Sequence, residues 1–236
     1  MKRLNNLIVI GTSHISSQSV QEVEQVINQE QPQIIAVELD KNRLTALISN
    51  NKRKLSISAL PTIGVKGYLF ALIGSYIQKK MGKVVNIEPG SEMLTAINLA
   101  KKNKVDLALI DQPIEITLQR FSREFTWKEK WRVIIDILLG LVQPKKQLKK
   151  YQLENFDLRT VPEEKAIIKL LKVIKKRYPS LYKVLIEERN QYISSRLISL
   201  INKNTNKKIV AVVGAGHEEE IIRLVKKKVK NNVFIT

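Results

Sequence analysis

A series of short β-branched runs, each followed by a turn and a helical pattern, constrains the fold of this chain more than any other feature. Apolar runs of this kind, separated by helices, are typical of parallel strands that are buried on both faces of a sheet. The expected strands are residues 7–10, 34–37, 84–87, 105–110 and 209–213, with 233–235 as a candidate final strand. The sequence therefore predicts an α/β fold with a mostly parallel central sheet flanked by helices.

The periodicity of the remaining apolar residues predicts where the helices lie. Around the strands we expect helices at residues 17–30, 41–50, 66–81, 91–103 and 217–230. Between residues 114 and 202 there is no strand pattern, and prolines separate helical patterns at 126–142, 147–153, 163–177 and 180–202. We interpret this region as a large helical insertion before the last strands of a single domain that spans residues 1–236. A separately folding subdomain is the alternative.

Composition limits the chemistry of any site. The 236 residues include no cysteine, which excludes disulfides, zinc ribbons, iron–sulfur clusters and thiol nucleophiles. Any metal ion must therefore take nitrogen and oxygen ligands, which indicates Mn, Co, Zn, Fe or Mg.

The charge of the chain bears on its partners and location. The net charge is +19, and its lysines lie in short runs that solvated helices ordinarily carry. A sharper interpretation is attraction to an anionic membrane surface. Nucleic acid is disfavoured because aromatics are few and no known binding signature is present. No stretch reaches the ~20 apolar residues of a spanning helix, so we expect a cytoplasmic protein, at most peripheral to the membrane, without a transmembrane segment.

Ionisable residues follow five of the expected strands. The first strand leads into Gly11-Thr-Ser-His14 and the late one into Gly214-Ala-Gly-His217, and these are the only two histidines of the chain. Glycine gives the backbone freedom for a turn, and ligands bind beyond the carboxyl ends of parallel strands. Further strand-end acids are Glu38, Asp40, Glu88 and Asp111. The pattern predicts that the two imidazoles meet at one edge of the sheet and, with carboxylates, form a metal site.

Six ordered segments carry a resemblance to a known family. They are GTSHIS at 11–16, VELDKNR at 37–43, IEPGSEML at 87–94, IDQPIEITLQR at 110–120, EERNQYISSRL at 187–197 and VVGAGHEEEI at 212–221. With these the chain resembles the TraB family of pheromone-shutdown proteins, which is grouped with Tiki proteases and with ChaN-like and erythromycin-esterase-like proteins. The resemblance implies an α/β core with two G-x-x-H motifs, and many members of the family also carry a membrane-spanning region.

The resemblance implies a metal-dependent hydrolase of the TraB/Tiki type that acts on a peptide or a small amide. The implied metal ligands are His14, His217 and Glu38, holding Mn, Co or Zn. Glu188 is an alternative to Glu38 as a metal ligand, and Glu38 or Glu92 is the expected general base. Arg43, or alternatively Arg189 or Arg120, is expected to stabilise the oxyanion or to hold a substrate carboxylate. Because Glu188 and Arg189 are consecutive on a helix, their side chains diverge by about 100°, and at most one should aim at the reaction centre.

Other interpretations stay open at this point. A metal-free, esterase-like hydrolase would use His14 as its general base, oriented by Glu38. A non-catalytic protein would bind or sequester a peptide without cleaving it. The arginines would then be structural partners of strand-end acids, and a homodimer is compatible with each of these functions.

Overall fold

The computed structural model describes residues 1–12, 17–49, 61, 68, 90–142 and 164–233. Its sheet contains five strands: β1 (Lys2–Leu4), β2 (Leu7–Thr12), β3 (Ile34–Val37), β4 (Asp106–Leu109) and β5 (Ile209–Gly214). The strand order is β1-β2-β5-β3-β4, with β1 antiparallel to β2 and every other pair parallel. The predicted mostly parallel sheet is confirmed.

Two of the expected strands need comment. The candidate strand at 233–235 is wrong at its first residue, because Val233 belongs to the last helix, and residues 234 and 235 lie outside the described residues. The strand expected at 84–87 also lies outside them. Conversely, β1 was not predicted. It forms a hairpin with β2 through Asn5 and Asn6, and Asn5 has a φ of 52°, as such two-residue turns require.

Nine α-helices can be described, and most lie where the periodicity predicted them. They are α1 (Ser17–Glu30), α2 (Lys41–Ile48), α3 (Ser91–Lys102), α4 (Ile114–Glu124), α5 (Trp127–Val142), α6 (Glu164–Arg177), α7 (Pro179–Tyr182), α8 (Glu188–Lys203) and α9 (Ala215–Val233). α4 was not predicted. The single helix expected at 180–202 is instead divided by a π turn, Lys183–Glu187. The helix expected at 66–81, apart from Tyr68, and the one at 147–153 fall on residues that are not described.

The two faces of the sheet bury different helices. Alternating residues of β2, β3 and β5, such as Ile10 and Val212, pack with α1 and α3 on one face. Their neighbours, such as Val9 and Val213, pack with α8 and α9 on the other face. Because the side chains of a strand alternate, strands covered on both sides must be apolar throughout, and all six residues of β5 are buried.

The helical insertion lies between β4 and β5 in sequence, as expected. Helices α4 to α7 and the π turn lead into α8, whose Ile193, Leu197 and Ile201 join the core beneath the sheet. The last helix of the insertion therefore shares the core of the α/β unit. Within the described ranges, no helix combines the length and the apolar character that a membrane crossing requires.

Candidate functional site

The carboxyl ends of the parallel strands converge on one edge of the sheet. Thr12 at the end of β2 pairs with Gly214 at the end of β5, and Val37 at the end of β3 pairs with Val212. Glu38 follows β3 directly, and Asp111 follows β4 by two residues. α9, which carries His217, begins immediately after β5. Side chains from distant parts of the sequence therefore meet at this edge.

Glu38 is the carboxylate at the centre of the edge. It is 5% exposed, and its Oε2 accepts a hydrogen bond of 2.6 Å from the backbone N–H of Gly214. Its Oε1 accepts a hydrogen bond from the Arg189 guanidinium and lies 3.6 Å from Nε2 of His217. A buried carboxylate is stable as an anion when it is hydrogen-bonded and paired in this way.

Arg189 joins the ends of β3 and β4. Besides Glu38, its Nη2 donates to Oδ2 of Asp111 at 2.5 Å, and its Nε donates to Oδ1 of Asp111 at 3.1 Å. Burial disfavours the charge of this guanidinium, but Glu38 and Asp111 outweigh that cost and hold the pKa of Arg189 above its ordinary value. Arg189 is therefore a permanent cation between two buried carboxylates.

The residue before Arg189 lies in a different environment. Glu188 accepts hydrogen bonds from Nη2 of Arg120 at 2.7 Å and from Nε of Arg120 at 3.2 Å. Both residues follow the π turn, and their side chains diverge as consecutive helical positions do. Of the two residues, only Arg189 reaches Glu38. The structure does not bring Glu188 or Arg120 to Glu38 and His217.

A second arginine, Arg43, ties the first turn of α2 to the same edge. Asp40 caps α2 by accepting from the backbone N–H groups of Asn42 and Arg43, and its other oxygen accepts from Nε of Arg43 at 2.7 Å. The Nη2 group of Arg43 donates to Asp111 at 2.5 Å. Burial opposes the charge of Arg43, yet Asp111 and Asp40 raise the pKa of its guanidinium. Arg43 is an ion-pair partner here, and its side chain remains 30% exposed.

His217 is oriented by Asn190. Its Nδ1 lies 2.6 Å from Oδ1 of Asn190, which is 1% exposed. With the amide in this orientation, Nδ1 donates and Nε2 presents its lone pair in the neutral imidazole. Nε2 then faces Oε1 of Glu38 at 3.6 Å and Nη1 of Arg189 at 3.3 Å. Metal-binding histidines are commonly held by such a bond to the distal nitrogen.

Gly11 lies one residue before the end of β2, and Gly214 is the last residue of β5. Among the described glycines only Gly90, which precedes α3, has a positive φ, of 88°. The expectation that Gly11 and Gly214 supply unusual backbone freedom is therefore wrong. Gly11 instead gives space to α9, since a Cβ atom built on it would lie 2.5 Å from Oε2 of Glu218.

The structure places the other predicted residues as follows. Glu92 lies in the first turn of α3, 1% exposed. α3 leads back to β4, so its first turn is at the same edge of the sheet as Glu38.

His14 and the strand-end Glu88 lie outside the described residues, so the meeting of two imidazoles stays a prediction. Asp111 and Asn190 were not among the predicted site residues, although the strand-end position of Asp111 was a usable signal.

The side chains at the strand ends include donor atoms that a metal ion requires. Across the described residues, no group of three or more His, Asp or Glu side chains is arranged to hold one. His217 Nε2 and Glu38 Oε1, however, are 3.6 Å apart. That separation is close to the spacing of two ligands with bonds of about 2.0–2.2 Å to one ion. The nitrogen and oxygen donors suit such an ion in type and spacing, although the Arg189 guanidinium contacts both, donating to Oε1 of Glu38 and lying 3.3 Å from Nε2 of His217.

Comparisons with known proteins extend over nearly the whole chain. The sequence model of the TraB/PrgY/gumN family matches residues 2–229. An uncharacterized protein of Methanocaldococcus jannaschii is 38% identical over 229 residues, which are 96% of this chain and 55% of that protein. A human TraB domain-containing protein is 23% identical over 241 residues, covering 90% of this chain and 61% of its own length. The chain thus spans little more than half the length of these curated relatives.

Proposed function

The chain belongs to the TraB/PrgY/gumN family, and from this membership and the geometry of its strand ends we propose that it is a hydrolase of peptides or similar amides that uses a divalent metal ion. One observation carries the proposal. A buried carboxylate, Glu38, and an oriented imidazole, His217, lie within 3.6 Å of each other at the edge where parallel sheets bind ligands.

In this proposal His217 and Glu38 are two ligands of the ion, and His14 is the third. β2 and β5 are paired up to Thr12 and Gly214, so the chain leaves toward His14 and His217 from neighbouring positions. A bound Mn, Co or Zn ion would polarise the scissile carbonyl and make a bound water more acidic. The charge balance favours a cation here, since Glu38, Asp40 and Asp111 outnumber Arg43 and Arg189.

The remaining side chains have separate tasks. Because Glu38 is assigned to the ion, the general base is Glu92, the other buried carboxylate at this edge, since a base must reach the attacking water. Arg189 is held by two acids, Glu38 and Asp111, and it positions the Glu38 carboxylate. Arg43 is the more exposed arginine and is the better candidate to meet an incoming carboxylate or a developing oxyanion.

Metal titration of single variants tests the ligand set. We expect His14→Ala, His217→Ala and Glu38→Gln to weaken the affinity for Mn, Co or Zn by more than about 100-fold each, because losing even a residue that only orients a ligand costs about 10-fold to 100-fold. Glu188→Gln is the matched control, because Glu188 is an acid on a neighbouring element that pairs with Arg120. Wild-type metal affinity in His14→Ala, His217→Ala and Glu38→Gln would show that these residues do not bind the metal ion.

Cleavage is tested by mass spectrometry of a peptide mixture incubated with the wild type and each metal. The proposal requires new fragments that disappear in Glu38→Gln and persist in Glu188→Gln. Peptides that bind but stay intact with every metal would instead identify a binding or sequestering protein.

A second candidate is a metal-free hydrolase in which His14 is the general base. The observation that favours it is Arg189, whose Nη1 lies 3.3 Å from Nε2 of His217 and already brings a positive charge to the place where an ion would bind. Full cleavage activity in the presence of a strong chelator, with loss of activity in His14→Ala, would select this mechanism.

A further inference from the structure

At the start of the helix α5, the described side chains show an inverted distribution of polar and apolar residues. On most helices of a folded domain the apolar face is buried and the polar face meets water. On α5, Glu129 is 2% exposed, whereas Trp127 is 72% exposed and Trp131 is 62% exposed. Such an inversion needs a physical reason on both faces.

The first reason is a capping box that turns Glu129 inward. The hydroxyl of Thr126 accepts from the backbone N–H of Glu129, and Oε2 of Glu129 accepts from the backbone N–H of Thr126, each at 3.3 Å. Oε1 of Glu129 accepts a hydrogen bond of 2.8 Å from the backbone N–H of Ser180 in α7. Burial alone would raise the pKa of Glu129, but the bonds to Ser180 and Thr126 lower it below its ordinary value.

A second inward acid fixes the rotation of α5 two turns later. The carboxylate of Asp136 accepts hydrogen bonds from the guanidinium of Arg177, the last residue of α6, and from the hydroxyl of Tyr178, the residue after it. Residues seven apart on a helix lie on nearly the same face, so Glu129 and Asp136 hold that face against α6 and α7. The opposite face of α5 must therefore point outward.

That outward face carries an apolar stripe. We define the stripe as Trp127, Trp131, Ile135 and Leu139, which are 72%, 62%, 48% and 37% exposed. Positions four apart advance by about 40° around a helix, so these four side chains form one continuous band. Both tryptophans of the chain lie in this stripe.

Basic side chains border the stripe. Lys128 and Arg132, each next to a tryptophan, are exposed, and Nζ of Lys130 lies 3.7 Å from the centre of the Trp127 ring. Nη1 of Arg132 also donates to the backbone carbonyl of Arg177 at 3.2 Å, a bond that leaves the charge of its guanidinium unneutralised. Tryptophan is enriched where a membrane meets water, and lysine and arginine beside it are attracted to anionic headgroups. We infer that α5 docks its stripe on an anionic lipid surface, with the helix lying in the plane of that surface.

Charge favours a lipid surface over a second copy of the chain. Each copy carries a net charge of +19, so two stripes with basic borders would repel one another. Arg177, in the basic run at 175–177, is committed to Asp136, and Lys175 is paired with Glu187 at 2.8 Å. In the described part of that region, membrane attraction is therefore better assigned to α5 than to this run.

The two tryptophans allow a direct test with the whole chain. We expect vesicles of phosphatidylcholine and phosphatidylglycerol to shift the tryptophan emission to shorter wavelength, and brominated lipids to quench it. Vesicles of phosphatidylcholine alone should produce a much weaker shift, and high salt should weaken binding to the anionic vesicles.

Variants separate the stripe from its basic border. Trp127→Ser/Trp131→Ser should reduce the recovery of protein with anionic vesicles in flotation by about tenfold or more. Lys128→Glu/Arg132→Glu should abolish the preference for anionic lipid. Ile48→Ser is the control, because Ile48 is an exposed apolar residue, 58% exposed, on another helix. Circular dichroism before flotation verifies that each variant is folded.

Three results would overturn the inference. The first is no flotation of the wild type, and the second is flotation of the double tryptophan variant at the wild-type level. The third is an emission shift that depends on protein concentration without lipid and coincides with dimers in sedimentation, which would assign the stripe to a second copy. None of these results bears on the metal titration, so this inference and the proposed hydrolase fail independently.

Discussion

Glu38 at the sheet edge and Asp136 in the helical insertion are both held by an arginine and a second donor, but the two arginines are shared differently among the surrounding acids. Glu38 accepts from an arginine, Arg189, and from the backbone of Gly214, and Asp136 accepts from Arg177 and from the hydroxyl of Tyr178. Arg189, however, divides its donors between Glu38 and Asp111, whereas the Nε and Nη2 groups of Arg177 both donate to Asp136.

The difference distinguishes a site from a structural anchor. A bidentate pair in which two donors of one guanidinium meet one carboxylate fixes the position of two helices. A guanidinium shared between acids leaves carboxylate oxygens and an imidazole nitrogen close together, in a place where the negative charge exceeds the positive charge. Such an excess is tolerated when a ligand or a cation completes the balance. The four predictions below test this comparison.

Arg189→Met should have the largest effect on stability. It leaves Glu38 and Asp111 buried without their shared cation, and breaking a buried pair in this way costs about 3–5 kcal/mol in the free energy of unfolding. Denaturant unfolding followed by circular dichroism measures the loss. Arg120→Met is the control, since its partly exposed pair with Glu188, at 36% and 21% exposure, contributes about 0–1 kcal/mol. Equal losses in both variants would mean that the edge is no more coupled than the surface.

Arg177→Met should have a smaller effect. The Arg177 and Asp136 side chains are 26% and 17% exposed, so water partly replaces the lost partner. We expect a loss of about 1–2 kcal/mol in the same unfolding experiment. A loss as large as that of Arg189→Met would contradict the distinction between a buried shared cation and a half-buried anchor.

Tyr178 should make the anchor sensitive to high pH. Burial and the bond to Asp136 raise the pKa of Tyr178 from 10.0 to about 12, with Arg177 opposing the shift. The folded state holds this proton more tightly than the unfolded chain, so the stabilisation is complete below pH 10 and is lost as the pH rises toward about 12. The difference in unfolding free energy between wild type and Tyr178→Phe, measured across this range, isolates the effect. A difference that does not change with pH would remove the linkage.

Gly11→Ala should have the smallest effect. The new Cβ atom would meet the end of the Glu218 side chain, which is flexible and can move at a cost of about 1 kcal/mol. The double variant Gly11→Ala/Glu218→Ala should recover most of that loss, as a double-mutant cycle would show. If the double variant were no more stable than the sum of the singles, the contact with Glu218 would not explain Gly11.

Much of the fold could be predicted because the central strands are buried on both faces. β2, β3 and β5 are uninterrupted apolar runs, and only burial explains such runs. β1 was missed because it is short and two of its three residues, Lys2 and Arg3, are charged, although Asn5-Asn6 is a usable hairpin signal. α4 was missed because its buried face includes the polar Thr117 beside Leu118 and Phe121, which obscures the apolar period.

The site could be predicted only as far as topology determines it. Parallel strands end at the same edge, and this rule places Glu38, Asp111 and His217 correctly relative to the sheet. The choice between Glu188 and Arg189 depends on the rotation of α8, which is set by packing across the core and cannot be read from two consecutive charged residues. The bond between Asn190 and His217, 27 residues apart, likewise requires the packed helices.

The π turn between α7 and α8 sets the rotation of α8 relative to α7, so that α7 can bond to α5 while α8 packs in the core. Ser180 is fixed to Glu129 on one side, and Ile193 and Leu197 are fixed in the core on the other. A π turn adds one residue to a helix and so changes the phase of the two ends by about 100°. Deleting one residue from Lys183–Glu187 would force one attachment to yield. The length of this five-residue segment, more than its composition, therefore determines that Arg189 lies against Glu38 while the insertion remains docked.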